Sequence, residues 1–347
     1  MTTPHPIADH RPQLTVWKSL LGISCLMSFG LAPLAEARAC LSDGRYLMGT
    51  VLEISLCASD AAPDQQVLDS LFTTTAHLDA QLTTFSPDSP LSRLNAQAGH
   101  RSTPVPLEVT DVLSLSLRYG RLTGGTFDIT VGPVMALWRQ AAVTQLPPSM
   151  IALRRARSRI GREKIRLFAT GAVFLTRPGM ALDLGGIGKG YALDRLVSIL
   201  KQKNIRNALL DFGQSSIWAL GHPSDAEGWR LLLQQPDGDV AGVITLRDQA
   251  LSVSGSMGQT FEVGGQRYGH VIDPRSGSPL RRDLLACVIA PTAAQAEALS
   301  KALLILGEQE GIALLQRLPG VEGLLIEARG RRWATAGWTH ATAFVPL

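Results

Sequence analysis

The sequence has 347 residues, enough for one large domain or two ordinary ones, and 45% of them are hydrophobic, so a sizeable core can form. Its 33 Lys and Arg residues nearly balance 29 Asp and Glu, for a formal net charge of +4. Proteins that bind nucleic acid usually cluster their basic residues, whereas these are scattered. The densest basic run, "RRARSR" at 154–159, is typical of a solvated helix face. The composition therefore argues against nucleic acid as a partner.

Residues 1–39 have the pattern of a secretory signal peptide. After a basic flank, an apolar stretch runs from Ser19 to about Leu34, which is short for a membrane span. Small residues suited to cleavage follow it at Ala35, Ala37 and Ala39. We therefore expect a mature periplasmic protein of residues 40–347. Two alternatives stay open: a lipid attached to Cys40, which would hold the protein at the membrane, and an anchor that is never cut.

The cysteines match no zinc or redox spacing. The sequence has four: Cys25, Cys40, Cys57 and Cys287. Cys25 falls in the predicted signal peptide, and the other three cannot all pair with one another. A disulfide is possible in an oxidising compartment, but we expect that none is needed for function.

Predicted elements in the first half of the mature chain are mostly helices. They are a strand at 46–59, helices at 64–85 and 110–123, a turn and short helix at 86–97 capped by Asp88 or Ser89, and a helix with Pro133 in its first turn. A helix at 150–160 and two short strands near 164–170 and 172–178 follow.

The second half is richer in strands. Residues 180–204 read as strand, glycine loop and helix, 207–263 as short strands, 284–290 as a strand and 292–307 as a helix. This mixture predicts an α+β fold with a strand-rich middle flanked by helices. No linker is long enough to indicate two independent domains, so we expect a single one.

Two glycine-containing stretches carry possible binding chemistry. In "DLGGIGKGYALDR" (183–195), glycines before a helix let backbone N–H groups approach an anion, and Lys189 adds a positive charge. The pattern is neither a P-loop nor GxGxxG, and a tight strand–helix turn capped by Asp183 is the alternative. In "TGGTFDITVGP" (123–133), glycines adjoin Phe127 and Asp128, although successive helix caps explain the pattern equally well.

Two further stretches carry possible proton or metal chemistry. In "HVIDPRSGSP" (270–279), His270 can exchange protons near neutral pH and Asp273 can orient a partner or a metal. The alternative is a strand and turn with a structural histidine. In "APTAAQAEALSKALLILG" (290–307), Glu297 and Lys301 lie four residues apart on one helix face, which also fits a surface salt bridge.

Together with "MGT" (48–50) and "FSPDSPLSRLN" (85–95), these stretches, in this order, resemble the ApbE-type FAD:protein FMN transferases over about residues 45–340. The resemblance implies cleavage of FAD and transfer of FMN to a threonine of a target protein, with a divalent metal, usually Mg²⁺. It also implies that the acceptor belongs to a membrane redox complex.

The resemblance also assigns residues. It implies catalytic roles for His270 and Asp273 and a metal site at Gly186 and Glu297. The implied flavin contacts are Met48, Phe85, Thr126, Phe127, Asp128, Asp183, Lys189 and Ile272.

Three positions depart from the family pattern. Glu297 stands where the family has Asp, Lys301 stands where it has Thr, and Gln214 replaces one of two glycines. Protonated Lys cannot ligate a metal, and its ammonium could take the place of the metal's charge. We therefore keep open an active transferase with an altered metal site, and a non-catalytic FAD-binding protein or FAD pyrophosphatase of the same fold.

Overall fold

The computed structural model describes residues 40–57, 64–236, 238–328 and 330–346. The predicted signal peptide lies outside these ranges. The fold is α+β, as predicted, and strands from both ends of the chain join one eight-stranded sheet. Within the described ranges, no helix combines the length and apolarity needed to cross a bilayer.

Eighteen strands and eight α-helices are described in these ranges. The strands are β1 (Cys40–Leu47), β2 (Thr50–Cys57), β3 (Thr103–Pro104), β4 (Ile165–Leu167), β5 (Ala172–Leu175), β6 (Ala208–Phe212), β7 (Ser216–Leu220), β8 (Trp229–Gln234), β9 (Val240–Leu246), β10 (Gln249–Gly255), β11 (Thr260–Val263), β12 (Gln266–Gly269), β13 (Ile272–Asp273), β14 (Ser278–Pro279), β15 (Leu284–Ala290), β16 (Glu322–Glu327), β17 (Arg332–Ala334) and β18 (Val345–Pro346). The helices are α1 (Gln65–Leu82), α2 (Pro90–Ala96), α3 (Leu107–Leu122), α4 (Gly132–Thr144), α5 (Met150–Arg157), α6 (Gly188–Gln202), α7 (Ala293–Leu315) and α8 (Trp338–Thr342).

The large sheet is antiparallel, in the order β1-β2-β6-β7-β10-β15-β16-β17. Its two faces pack against different layers, because successive side chains of a strand point to opposite sides. In β15, for example, Ala286 and Val288 pack in the cluster with α7, whereas Cys287 and Ile289 pack in the cluster with β8 and β9. Burial on both faces explains why β15 is a continuous apolar run.

Local capping residues set the start of several helices, as predicted for Ser89 and Pro133. Ser89 accepts a hydrogen bond from the backbone N–H of Ser92 and so caps α2, and Thr292 caps α7 through the N–H of Gln295. Pro133 lies in the first turn of α4, as predicted. The basic helix α5 is largely exposed, which agrees with a solvated face.

The strand predicted at the start of 180–204 is wrong. Residues 181–184 form no ladder. The N–H of Leu182 instead donates to Asn95 Oδ1 at 2.8 Å, and that of Asp183 donates to the carbonyl of Ile129 at 2.8 Å. This extended segment thus ties α2 and the 123–133 turn to the glycine loop.

Several turns meet at one end of the large sheet. The β1–β2 turn lies at Met48 and Gly49, and the pairing of Leu52 with Phe212 brings the β6–β7 turn beside it. Gly213 donates its N–H to the carbonyl of Val51 at 2.8 Å. At the other end of β1 and β2, away from the Met48 turn, Cys40 and Cys57 form a disulfide.

Candidate functional site

The glycine loop lies at the end of the large sheet that carries the Met48 turn. A side-chain hydrogen bond fixes its backbone. Asp183 caps the loop, as predicted, by accepting the N–H of Gly185 at 2.9 Å. Its carboxylate also lies 3.3 Å from Arg139. The loop then runs directly into α6, whose N-terminus favours negative charge.

Three glycines of this segment allow close contacts with other elements. A Cβ on Gly186 would lie 3.3 Å from the Phe127 ring, and one on Gly188 would lie 3.4 Å from the Met48 methyl group. A Cβ on Gly190 would lie 2.4 Å from the carbonyl oxygen of Ala293, which leaves no room for a side chain. The structure therefore brings Met48 and Phe127 to the loop, next to the start of α7.

Lys189 points to the β6–β7 turn. Its ammonium lies 2.5 Å from the hydroxyl oxygen of Ser215. Two left-handed residues, Gly213 with φ 64° and Gln214 with φ 54°, form this turn, and the N–H of Gln214 donates to Asp211 at 2.7 Å. Gln214 is thus accommodated in a conformation that a glycine would adopt at lower cost.

Asp211 is an electrostatically unusual group beside this turn. Burial raises its pKa to about 7, while the Gln214 N–H lowers it, the Glu53 charge raises it and the Lys189 charge lowers it. Glu53 is its direct cross-strand partner, and like charges placed opposite each other destabilise a sheet. The site therefore holds a carboxyl group that can be neutral near physiological pH.

Glu297 does not form the surface salt bridge with Lys301 that the sequence also allowed. It is fully buried, and the N–H of Gly190 donates to its carboxylate at 3.0 Å. The Ser216 hydroxyl donates to the other carboxylate oxygen. Because α7 is enclosed between the sheet and α6, this helix face turns inward, which the four-residue spacing alone could not indicate.

The Lys301 side chain lies along the glycine loop. Its Cγ and Cε each stand 3.9 Å from the position a Cβ on Gly186 would occupy. Burial lowers its pKa to about 8, while the charge of Glu297 raises it and that of Lys189 lowers it further. Among the described residues, nothing within hydrogen-bond distance accepts from its ammonium.

His270 stands at the accessible side of the same cluster. Its Nδ1 lies 3.2 Å from the carbonyl oxygen of Gln259. Since a carbonyl only accepts, Nδ1 carries the proton and Nε2 keeps a lone pair. Loss of surrounding water lowers the pKa of His270, the contact with Gln259 raises it, and the charges of Lys301 and Lys189 lower it again.

Asp273 is engaged with a neighbour rather than with His270. Its carboxylate holds the guanidinium of Arg275 through Nε at 3.0 Å and Nη2 at 3.0 Å. It also accepts the Arg275 N–H at 2.9 Å, which closes the turn between β13 and β14. These contacts support a role in shaping the turn next to His270.

Four other predicted flavin contacts have local structural partners or face solvent. Thr126 donates its hydroxyl to the Thr123 carbonyl at 2.9 Å, and Asp128 accepts from the N–H of Thr130 at 2.9 Å. Burial raises the Asp128 pKa. Ile272 packs in an apolar cluster with α4, and Phe85 is 90% exposed in the loop before α2.

Sequence reasoning missed Asp211, Ser215 and Ser216. The altered "FGQSS" segment (212–216) contains the two serines and directly follows Asp211, and it identified the turn without assigning it chemistry. Their partners, Lys189 and Glu297, come from segments 26 and 81 residues away.

The residues around Lys301 do not fit the divalent metal implied by the sequence resemblance. Mg²⁺ requires several oxygen ligands in near-octahedral geometry, yet Glu297 offers one carboxylate, which is fully buried and directed to Gly190 and Ser216. In the ranges that the structure covers, no group of three or more His, Cys, Asp or Glu side chains could hold a metal. The Lys301 side chain lies beside Gly186 instead.

The α+β fold brings a glycine loop, two lysines and an accessible histidine to one end of its sheet, and such positive charge beside backbone N–H groups is typical of sites for phosphorylated ligands. The ApbE family model matches residues 48–325, and the chain belongs to this family.

Two relatives match the sequence of this chain over most of its length. The chain is 32% identical over 336 residues to an FAD:protein FMN transferase of Klebsiella pneumoniae (strain 342), covering 91% of this chain and 93% of that protein. It is 31% identical over 291 residues to one of Salmonella typhimurium (strain LT2), covering 80% and 81%.

Flavinyl transferase ApbE of Pseudomonas stutzeri, in its apo form, has a TM-score of 0.77 and 25% identity, over 87% of this chain and 96% of that one. Flavin transferase ApbE of Vibrio cholerae has a TM-score of 0.77 at 24% identity, over 88% and 99%, and shares the fold.

Proposed function

We propose that this protein is an FAD:protein FMN transferase, which moves FMN from FAD to a threonine hydroxyl of an acceptor protein. The observation that carries the proposal is the meeting of the glycine loop with Lys189, Lys301 and His270, whose Nε2 keeps a lone pair. Family membership and the names of its relatives support the same activity.

The chemistry requires a neutralised pyrophosphate and an aligned nucleophile. The threonine oxygen attacks the phosphorus of the FMN half, the bond from that phosphorus to the bridging oxygen breaks, and AMP leaves with the electron pair. His270 Nε2 takes the threonine proton as the new bond forms. The glycine loop and the lysines hold the charged phosphates during this step.

Mg²⁺ does not enter these steps, because Glu297 and its neighbours do not fit a metal. The acceptor is proposed to be an exported subunit of a membrane redox complex, which agrees with the signal-peptide pattern of residues 1–39. A location in the periplasm is part of this proposal.

A direct test mixes the full chain with FAD and a purified candidate acceptor domain. The acceptor should become fluorescent in a denaturing gel, one AMP should appear per flavin attached, and an acceptor with its threonine changed to alanine should stay dark. Release of FMN and AMP without labelling would identify a pyrophosphatase. Binding of FAD without any AMP would identify a non-catalytic flavin carrier, the alternative that the change at Lys301 favours.

A further inference from the structure

Lys301 is the charged group whose role the family pattern leaves open. Its side chain crosses the glycine loop beside Gly186 and Phe127, and among the described residues no group accepts a hydrogen bond from its ammonium. Lys301 is partly buried, and an ammonium partly removed from water is stabilised by an acceptor of opposite charge. An anionic ligand in the loop would supply the missing acceptor.

We propose that the Lys301 ammonium, together with Lys189, forms a metal-independent site for the pyrophosphate of FAD. This inference rests on the proposed function for the identity of the ligand. It assigns to one protein side chain the charge that a divalent cation would otherwise supply to a diphosphate. The ligand class is therefore a diphosphate diester bound directly by two lysines and the N-terminus of α6.

Glu297 is already committed to the protein. Gly190 and Ser216 each donate to one of its oxygens, and its full burial places it behind the loop. The carboxylate thereby joins α6 and β7 to α7.

The next hydroxyl along the helix is also committed. Ser300 donates to the carbonyl of Glu297 at 2.9 Å and lies 2.8 Å and 3.1 Å from the hydroxyls of Ser254 and Ser252. These oxygens are directed to one another across α7 and β10. These serine oxygens therefore do not form an outward-facing group of ligands for a cation that requires several oxygens.

The charges nearest to Lys301 also disfavour a second cation. Among the described residues, Lys189 acts on Lys301 as a like charge and Glu297 as an opposing one. Two ammonium groups repel a divalent ion and attract a pyrophosphate carrying two negative charges. Ser215 positions Lys189 through a 2.5 Å contact, so one of the two charges is fixed before the ligand arrives.

The test measures FAD binding by calorimetry to the full chain, first in excess EDTA and then in excess Mg²⁺. The two dissociation constants should agree. Lys301→Met, which keeps an unbranched apolar stem, should weaken FAD binding by about 10- to 100-fold, the range expected for one charge-assisted hydrogen bond. Lys203→Met, at an exposed lysine at the end of α6, serves as the matched control and should leave the affinity unchanged.

Two further readouts keep the result independent of activity. Riboflavin lacks phosphates, so its affinity should be the same for wild type and Lys301→Met. The paramagnetic resonance spectrum of Mn²⁺ mixed with protein and FAD should show the same free Mn²⁺ as FAD alone. Stoichiometric Mn²⁺ binding, loss of FAD binding in EDTA, or equal affinities for Lys301→Met and Lys203→Met would each overturn the proposal.

Failure of the proposed function gives a different pattern. If FAD binds in EDTA and depends on Lys301 but no acceptor is labelled, the transferase assignment fails and the metal-independent site stands. If transfer occurs but FAD binds only with Mg²⁺, the site proposal fails alone. Absence of FAD binding under every condition removes both.

Discussion

At the scale of single residues, His270 is the group whose removal should separate chemistry from binding. His270→Ala should reduce transfer about 10²- to 10⁴-fold, the usual contribution of a positioned general base, while FAD affinity stays unchanged. Single-turnover gel fluorescence measures the first quantity and calorimetry the second. His340→Ala changes an exposed histidine of α8 and should behave as wild type. Near-normal transfer by His270→Ala would remove this residue from the mechanism.

The lowered pKa of His270 predicts how the transfer rate falls at acid pH. Because its folded pKa is lowered below 6.5, His270 is neutral and able to accept a proton at pH 7. Transfer should fall as the pH drops through that lower value. The pH profile should be repeated with Asp211→Asn, because the Asp211 pKa of about 7 adds a second titration within the same pH range. Persistence of the acid limb in His270→Ala would assign it to another group.

The raised pKa of Asp211 predicts that the stability of the fold also depends on pH. Its folded pKa of about 7 lies above the ordinary 3.8, so the folded state holds this proton more tightly than the unfolded state. The free energy of unfolding should therefore decrease as the pH rises from about 4 to about 7, by about 2–4 kcal/mol. In Asp211→Asn this decrease should shrink, whereas Asp225→Asn, at an exposed loop residue, should keep it. Urea unfolding at several pH values measures both; equal slopes in the two variants would contradict the assignment.

The sequence located much of the candidate site but not its contacts. Asp183, Lys189 and His270 stand in motifs whose residue types already suggest chemistry, and Asp183 caps its loop as predicted. The environment of Glu297 was not predictable, because its donors belong to α6 and β7, 107 and 81 residues away. Helical spacing reports which residues share a face, but not which face is buried.

At the scale of elements, Asp194 links the pieces that carry the site. On α6, it accepts the N–H groups of Ala293 at 2.7 Å and Ala294 at 3.0 Å, at the N-terminus of α7. It also accepts from the indole N–H of Trp218 on β7 at 3.1 Å. Lys189, Lys301 and Ser216 lie on these same three elements.

Asp194→Ala should therefore destabilise the fold by about 2–4 kcal/mol, because it leaves three donors without their acceptor. Asp194→Asn keeps one acceptor oxygen and should lose less. Asp225→Ala, at an exposed aspartate in the β7–β8 loop, is the matched control and should change stability by less than about 0.5 kcal/mol. Chemical unfolding measures all three; a similar loss in Asp194→Ala and Asp225→Ala would show that Asp194 does not hold the elements together.

The predicted helices were mostly correct because capping chemistry is local: Ser89, Pro133 and Thr292 act within one turn. The wrong strand at 181–184 arose because alternating apolar residues also suit an extended segment without a ladder. Its N–H groups bind Asn95 and Ile129, which are distant in sequence. Where a backbone group finds its partner far along the chain, the pattern alone does not distinguish strand from extended loop.

At the scale of the whole molecule, the Cys40–Cys57 disulfide fixes the free end of the β1–β2 pair at the edge of the large sheet. Each strand has eight residues, so the disulfide lies about 25 Å from the Met48 turn at the site. This separation supports the sequence-based expectation that no disulfide is needed for function.

Reduction of the wild type, or the double change Cys40→Ser with Cys57→Ser, should lower the free energy of unfolding by about 2–3 kcal/mol, the range for a loop of this length. FAD binding should be unchanged, because the cross-link lies at the far end of the strands. Reductant should have no effect on the double variant, which serves as its control.

The pairing of Cys40 with Cys57 also bears on lipid attachment, because a sulfur held in a disulfide cannot carry a lipid. The intact mass of the exported protein should therefore show no acyl groups and should rise on reduction by the mass of two hydrogens. A lipid mass together with a Cys57 thiol that reacts before reduction would instead establish attachment to the membrane through Cys40.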